Sequence, residues 1–307
     1  MLNWSFQLGS CAMKAFPFYL YSFQIFSTME SRPADFMLWM GDHVYMLNPW
    51  QWNSKEAMIR AYQNQRSQTR LASFMRSRPQ YAIWDDHDYG PNNAGAEFYN
   101  KDTARAVFKD MWPLQPQANP NEGIYFSFTH NEAQFFMLDV RYFKIVDSQL
   151  FGKIQMDWLC QELKESKAKF KFIVSGVQIL CDGGFENFRK YPAEFSQLMH
   201  FISENKIEGI VFNSGDVHYT EASCVERKGE YPLYDFTLSP LTSFPINYAG
   251  HNKNRIEGTK FNSLNFGEIS FSGEENNRCC DIQSLNIKGE VLWSYRLFEN
   301  DLKYKNP

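Results

Sequence analysis

Five times along this chain an apolar, strand-length run stops abruptly at a small or acidic cluster. Residues 4–8 alternate (Trp4, Phe6, Leu8) and run into Gly9-Ser10-Cys11, and the wholly apolar Phe36-Met37-Leu38-Trp39-Met40 ends at Gly41-Asp42-His43-Val44-Tyr45. Tyr81-Ala82-Ile83-Trp84 ends at Asp85-Asp86-His87-Asp88, residues 133–139 end at Asp139-Val140-Arg141, and 207–212 end at Ser214-Gly215-Asp216-Val217-His218. Continuous apolar runs suit strands buried on both faces. In open α/β sheets, sites form outside the carboxyl ends of such strands, so five clusters far apart in sequence can meet at one edge.

Between the runs lie helical patterns. Ser54 can cap a helix with Glu56 in its first turn, and the pattern runs to about Ser77 with Met58, Tyr62, Leu71 and Phe74 inward. Asp102 is expected to cap a second helix on Ala104, Val107, Phe108 and Met111, and 153–168 and 193–205 read as two more. Residues 12–35 read as irregular and aromatic, as a core or cover segment or the lining of a pocket. Residues 124–128 and 133–139 form a hairpin, 170–174 and 234–238 are strands, and 266–271, 279–285 and 291–297 alternate as a β-rich end, with 250–262 a polar loop. No internal repeat or low-complexity linker interrupts the chain, which reads as one α/β domain over 1–307, with motifs in about 4–245 and a β-rich part in about 246–307.

Three carboxylates and an imidazole in consecutive positions 85–88 repel one another unless something positive relieves them; otherwise they form a solvated acidic turn. Metal ions explain the residue types. Two cations need a bridging carboxylate and terminal oxygen or nitrogen ligands. Asp42, Asp86 and Asp216 supply carboxylates and His218 a nitrogen. Cys11 as thiolate and Tyr45 as phenolate are softer ligands that favour ferric iron or zinc over calcium at one position.

The ordered motifs Gly9-Ser10-Cys11, Gly41-Asp42-His43-Val44-Tyr45, Trp84-Asp85-Asp86-His87-Asp88 with Pro91-Asn92-Asn93, Asp139-Val140-Arg141-Tyr142 and Ser214-Gly215-Asp216-Val217-His218 resemble those of the PhoD-type alkaline phosphatases, a branch of the calcineurin-like metallophosphatases. The resemblance implies an αββα four-layer sandwich of two mixed sheets flanked by helices, and hydrolysis of phosphomonoesters or phosphodiesters by a metal-activated water. It implies Fe3+ with Ca2+, with Zn2+, Mn2+ or Mg2+ as alternatives. Cys11, Asp42, Tyr45 and His218 would hold the iron, Asp42 would bridge, and Asp86, Asn92 and Asp216 would hold the calcium, with Asn93 competing for the place of Asn92. His87 would bond a phosphoryl oxygen or the leaving group. Arg141 would clamp phosphate or pair with Asp139, and Asp85 and Asp88 would orient the imidazole and the loop. Val140 and Lys144 depart from the family's usual acidic residue and arginine.

A net charge of -4 and the absence of a Lys/Arg run argue against nucleic acid as a specific partner, leaving a small phosphoester as the expected substrate. A phospholipase D-like or nuclease phosphodiesterase and a catalytically inactive binding member are the alternatives. No apolar stretch is long enough to span a membrane, and the first residues lack a basic signal-peptide start. A cytoplasmic location is therefore the default expectation, and a periplasmic or extracellular one follows if a signal has been removed. Six scattered cysteines without CxxC spacing do not read as a disulfide scaffold, and Cys279-Cys280 reads as two thiols on a strand.

Overall fold

The computed structural model describes residues 3–113, 115–184, 186–247, 251–275 and 277–304. Its strands are β1 (Trp4–Gly9), β2 (Phe36–Met40), β3 (Gln80–Ile83), β4 (Phe126–His130), β5 (Ala133–Met137), β6 (Phe170–Val174), β7 (Ile210–Ser214), β8 (Glu221–Val225), β9 (Leu233–Thr237), β10 (Asn265–Ser272), β11 (Cys279–Asn286) and β12 (Val291–Phe298). One sheet runs β12-β11-β10-β1-β2-β3 and the other β4-β5-β6-β7-β9-β8. In the first, β1, β2 and β3 are parallel; in the second, β5, β6, β7 and β9 are. The antiparallel strands flank these parallel cores, so both sheets are mixed. The β-rich end of the chain joins the first strand directly, with Phe6 opposite Ile269.

The layer between the sheets accounts for the high aromatic content. Phe6 meets Phe135 and Phe172 of the opposite sheet edge-on at 5.1 and 5.5 Å, and Phe36 meets Phe135 at 5.3 Å. Such pairs add about 0.5–1.5 kcal/mol each beyond burial. In β2 the side chains alternate faces. Phe36 points between the sheets, while Trp39 points outward to Phe26 and Phe74. A strand covered on both faces has no position for a polar side chain, hence its unbroken apolar run.

The helices are α1 (Tyr19–Ser22), α2 (Gln24–Glu30), α3 (Pro49–Trp52), α4 (Lys55–Arg66), α5 (Thr69–Ser77), α6 (Asp86–Tyr89), α7 (Lys101–Met111), α8 (Gly152–Glu165) and α9 (Pro192–Glu204). Four sequence expectations need correction. The helix read from Ser54 to Ser77 is two, although Ser54 does cap the first by accepting the Ala57 N–H at 3.3 Å. Met58, Tyr62 and Gln65 extrapolate at 3.6 residues per turn to positions 69 and 72, whereas Leu71 and Phe74 are the buried ones. The chain re-phases through Gln68, whose backbone is extended. Within 12–35 lie α1 and α2, the latter burying Ile25, Phe26 and Met29. Asp102 is not a cap: it lies in the first turn of α7 and accepts the Tyr142 hydroxyl at 2.6 Å. Strand β8, whose sequence Glu-Ala-Ser-Cys-Val carries little apolar signal, was not anticipated; its Glu221 is fully buried and paired with Arg255.

All six cysteines are free. No described helix is long and apolar enough to cross a membrane.

Candidate metal centre

The strand ends do converge. β1 leads into Cys11, β2 into Asp42, β3 into Asp85–Asp88 and β7 into Asp216 and His218. Two glycines permit the approach. A Cβ on Gly41, whose φ is 92°, would lie 2.5 Å from the Asp85 Cβ. A Cβ on Gly215 would lie 2.6 Å from the Ser10 Oγ, so this glycine lets β7 of one sheet reach β1 of the other. Among the described residues eight non-glycine residues have positive φ, and five of them are Cys11, Asp42, Asn93, Asp216 and His218. Each left-handed position costs of order 1 kcal/mol, and such outliers gather where side chains are aimed at a site.

Two groups of ligand atoms result. Cys11, Asp42 and His218 place one ligand atom each within 4.8 Å of one another, and so do Asp42, Asp86 and His87. Asp42 belongs to both. A cavity of about 230 Å³ opens onto them, lined by Asp42, Asp86, His87, Asn92, Asp216 and His218, with Asn93 and Glu186 beside them. Cys11 and Tyr45 lie behind its wall. The Cys11 thiol meets the Asp42 carboxylate at 3.7 Å and the Asp216 carbonyl at 3.3 Å. The Tyr45 hydroxyl lies 3.0 Å from His218 Nε2 and accepts from Ser243 Oγ at 2.9 Å.

His218 Nδ1 sits 2.9 Å from the Phe244 carbonyl. A carbonyl only accepts, so the ring proton is on Nδ1 and the Nε2 lone pair faces the centre. This is how metal-binding histidines are usually oriented.

The electrostatics fit cations. Burial first, and then the neighbouring carboxylates, push Asp42 and Asp216 well above the usual carboxylate range. Burial likewise pushes the Cys11 thiol up, with Asp42 and Asp216 adding to it. Asp86 alone among the candidate ligand carboxylates is held down: burial opposes its charge, but Arg141, His87 and the Asn93 N–H outweigh it. Asp86 Oδ1, Asp85 Oδ2 and His87 Nδ1 are buried with no hydrogen-bond partner among the described residues. Converging carboxylates, a thiol, an aimed lone pair and unpartnered oxygens are groups that could hold metal ions.

The supporting residues differ from the sequence expectation in three ways. Asp88 does orient the loop, accepting the Val44 N–H at 3.0 Å and the Asp85 N–H at 3.1 Å. The His87 imidazole, however, is held by the Tyr45 ring, which stacks on it at 4.3 Å, and not by Asp85 or Asp88. Arg141 does not pair with Asp139, whose carboxylate is taken by the Trp84 indole (2.7 Å) and the N–H groups of Ile124, Arg141 and Tyr142. The fully buried Arg141 guanidinium instead bonds Asp85 and grips Glu186 with both terminal nitrogens at 3.1 and 2.8 Å. Glu186 was missed, because it lies in a loop with no motif around it. It also bonds Lys144, which donates to the Asn93 carbonyl at 2.8 Å. His43 is a packing residue, buried against Trp39 and Trp112.

The sequence profile of the PhoD-like phosphatases matches residues 6–277, a span that holds all five motifs. This chain belongs to the PhoD-like phosphatase family. Within the family's relatives, alkaline phosphatase D of Bacillus subtilis (strain 168) is 24% identical over 276 aligned positions, covering 71% of this chain and 46% of that protein. The chain thus spans about half the length of that curated relative. The solved structure of PhoD matches with a TM-score of 0.77 at 16% identity, covering 99% of this chain and 71% of that one. Purple acid phosphatase PPD1 from yellow lupin (Lupinus luteus) seeds matches with 0.67 at 14% identity, covering 98% and 55%. The PhoD-like chain therefore has the two-sheet metallophosphatase fold that its motifs implied.

Proposed function

We propose that this PhoD-like chain is a metal-dependent phosphoester hydrolase. The observation that carries the reading is the pair of ligand groups sharing Asp42 at the floor of one cavity. The soft group, Cys11 and His218 with Tyr45 against them, suits ferric iron, with Asp42 as the bridge. Asp86, Asp216 and the exposed Asn92 supply hard ligands suited to calcium. Bound there, the metals would supply a nucleophile from water at neutral pH and offset charge on the phosphoryl oxygens.

The chain's own residues do the rest. His87, flanking the cavity and stacked on Tyr45, is placed to donate a hydrogen bond to a phosphoryl oxygen or to the leaving group. Arg141 acts as a positioning residue: it fixes Asp85, and through Glu186 and Lys144 it fixes the Asn93 backbone, whose N–H donates to Asp86 at 2.6 Å. His87→Asn is expected to lower kcat about 10²–10³-fold, the scale of losing one transition-state donor, with metal content unchanged. Lost metal in that variant would make His87 a ligand.

Elemental analysis of the purified protein tests the reading most directly. Stoichiometric metal is expected, and chelation with EGTA should abolish turnover of a chromogenic phosphomonoester until calcium is returned. Full activity in the presence of EGTA with no bound metal would overturn the proposal; metal-free, inactive protein would favour the binding-module alternative. Diesterase activity is the second reading. Parallel assays of a chromogenic monoester and diester separate the two.

A further inference from the structure

At the opposite edge of the second sheet, by the amino ends of β6 and β7, the charge of the molecule reverses. A cavity of about 350 Å³ there is lined by six lysines and only two carboxylates, Glu208 and Glu299. The surplus is four positive charges in a chain whose net charge is -4. Glu299 pairs with Lys169 and Lys303 at 3.0 and 2.6 Å. No described carboxylate lies within ion-pair distance of Lys164, Lys167, Lys171 or Lys206. Helices α8 and α9 both end at this cavity, and lysines often complement helix carboxyl termini. Two such ends carry roughly half a negative charge each, which accounts for only about a quarter of the surplus.

Lys171 makes the cavity more than a basic surface. It is 6% exposed, and its ammonium is held by the carbonyls of Ala168 at 2.7 Å and Glu208 at 3.0 Å; no described carboxylate pairs with it directly, and Glu208 acts on it only from beyond ion-pair distance. Burying an ammonium without a paired anion is costly, and burial pushes Lys171 down to about 8. A bound anion would supply the missing charge.

We propose that this cavity is a second anion site, separate from the metal centre, that takes a short condensed phosphate such as a diphosphate. The donor chemistry selects the ligand class. The cationic lining is lysine alone, and ammonium groups serve phosphate as point charges, whereas planar carboxylates favour the fork of an arginine. The volume is at the small end for ligand pockets, which suits a compact polyanion.

The test uses the whole protein with its metals and methylenediphosphonate, a diphosphate analogue without a cleavable P–O–P bond. Hydrogen exchange should slow at 164–171 and 205–208 as the probe is added. A Lys167→Glu/Lys206→Glu double variant, altered only at exposed side chains, should bind there roughly tenfold more weakly or worse, since two attractions become repulsions. Lys288→Glu, an exposed charge elsewhere, should bind as the parent does. Phosphatase turnover of the double variant should equal the parent's. Protection confined to the metal centre, no protection at millimolar probe, or an equal loss in Lys288→Glu would overturn the proposal.

Discussion

Asp42→Asn protein is expected to be purified without either metal and to turn over a chromogenic phosphomonoester at least about 10⁴-fold more slowly. That is the scale of losing the several kcal/mol that two metals contribute. Asp42 is the residue common to both ligand groups, so the loss should be joint. Asp86→Asn should retain the soft-site metal. At position 42 asparagine tolerates the left-handed backbone, where φ is 54°, which is why it is chosen over alanine. A folding defect would not explain the result. In the metal-free protein Asp42 is a buried carboxylate pressed by Asp86, Asp85, Asp88 and Asp216, so removing its charge should leave metal-free thermal stability unchanged or raised. Retention of iron by Asp42→Asn, read by elemental analysis, would show that the bridge lies elsewhere.

Arg141→Leu is expected to be the most destabilising single change near the site, at about 3–5 kcal/mol by urea unfolding at pH 8. Breaking a buried pair leaves a charge without a partner, and here Asp85 loses its cation outright while Glu186 keeps only Lys144. The sign of its pH dependence follows from Asp85. Burial pushes its carboxyl up to about 7 even with Arg141 opposing, and without the guanidinium it rises further. A carboxyl raised in the folded state binds more protons folded than unfolded, so stability falls as pH climbs from the unfolded value toward the folded one. The deficit of Arg141→Leu should therefore shrink at pH 5 relative to pH 8. Were Arg141 a substrate clamp instead, the variant would unfold as the parent does and show a raised KM.

The legible parts of this molecule were those written into short stretches of chain. Cys11, Asp42, the 85–88 tetrad, Asp216 and His218 stand immediately after strands, and a strand end is recognisable from local apolar pattern alone. Pairing across the fold was not legible. Arg141 lies two residues from Asp139, yet its guanidinium reaches Asp85 and Glu186, a choice made by the packing of β3, β5 and a loop. Helices α4 and α5 share one polar-apolar texture, and only the phase of their buried stripes separates them. Strand β8 is buried on polar side chains that satisfy one another, Glu221 with Arg255 and with Gln178 at 2.8 Å, so it carries no apolar run to read.

The pairing of β1 with β10 bears on how the protein is made. A chain growing from the ribosome releases β1 and β2 early, and they can pair at once. The other side of β1 stays bare until residues 265–272 have emerged. Until then the strand that presents Cys11 is an open edge, a template for wrong partners. Its pocket neighbours Asp216 and His218 likewise arrive late in synthesis. Capture of the metal proposed at Cys11 thus waits until residues 265–272 have emerged, and a ribosome-held chain ending at Ser263 should take up none.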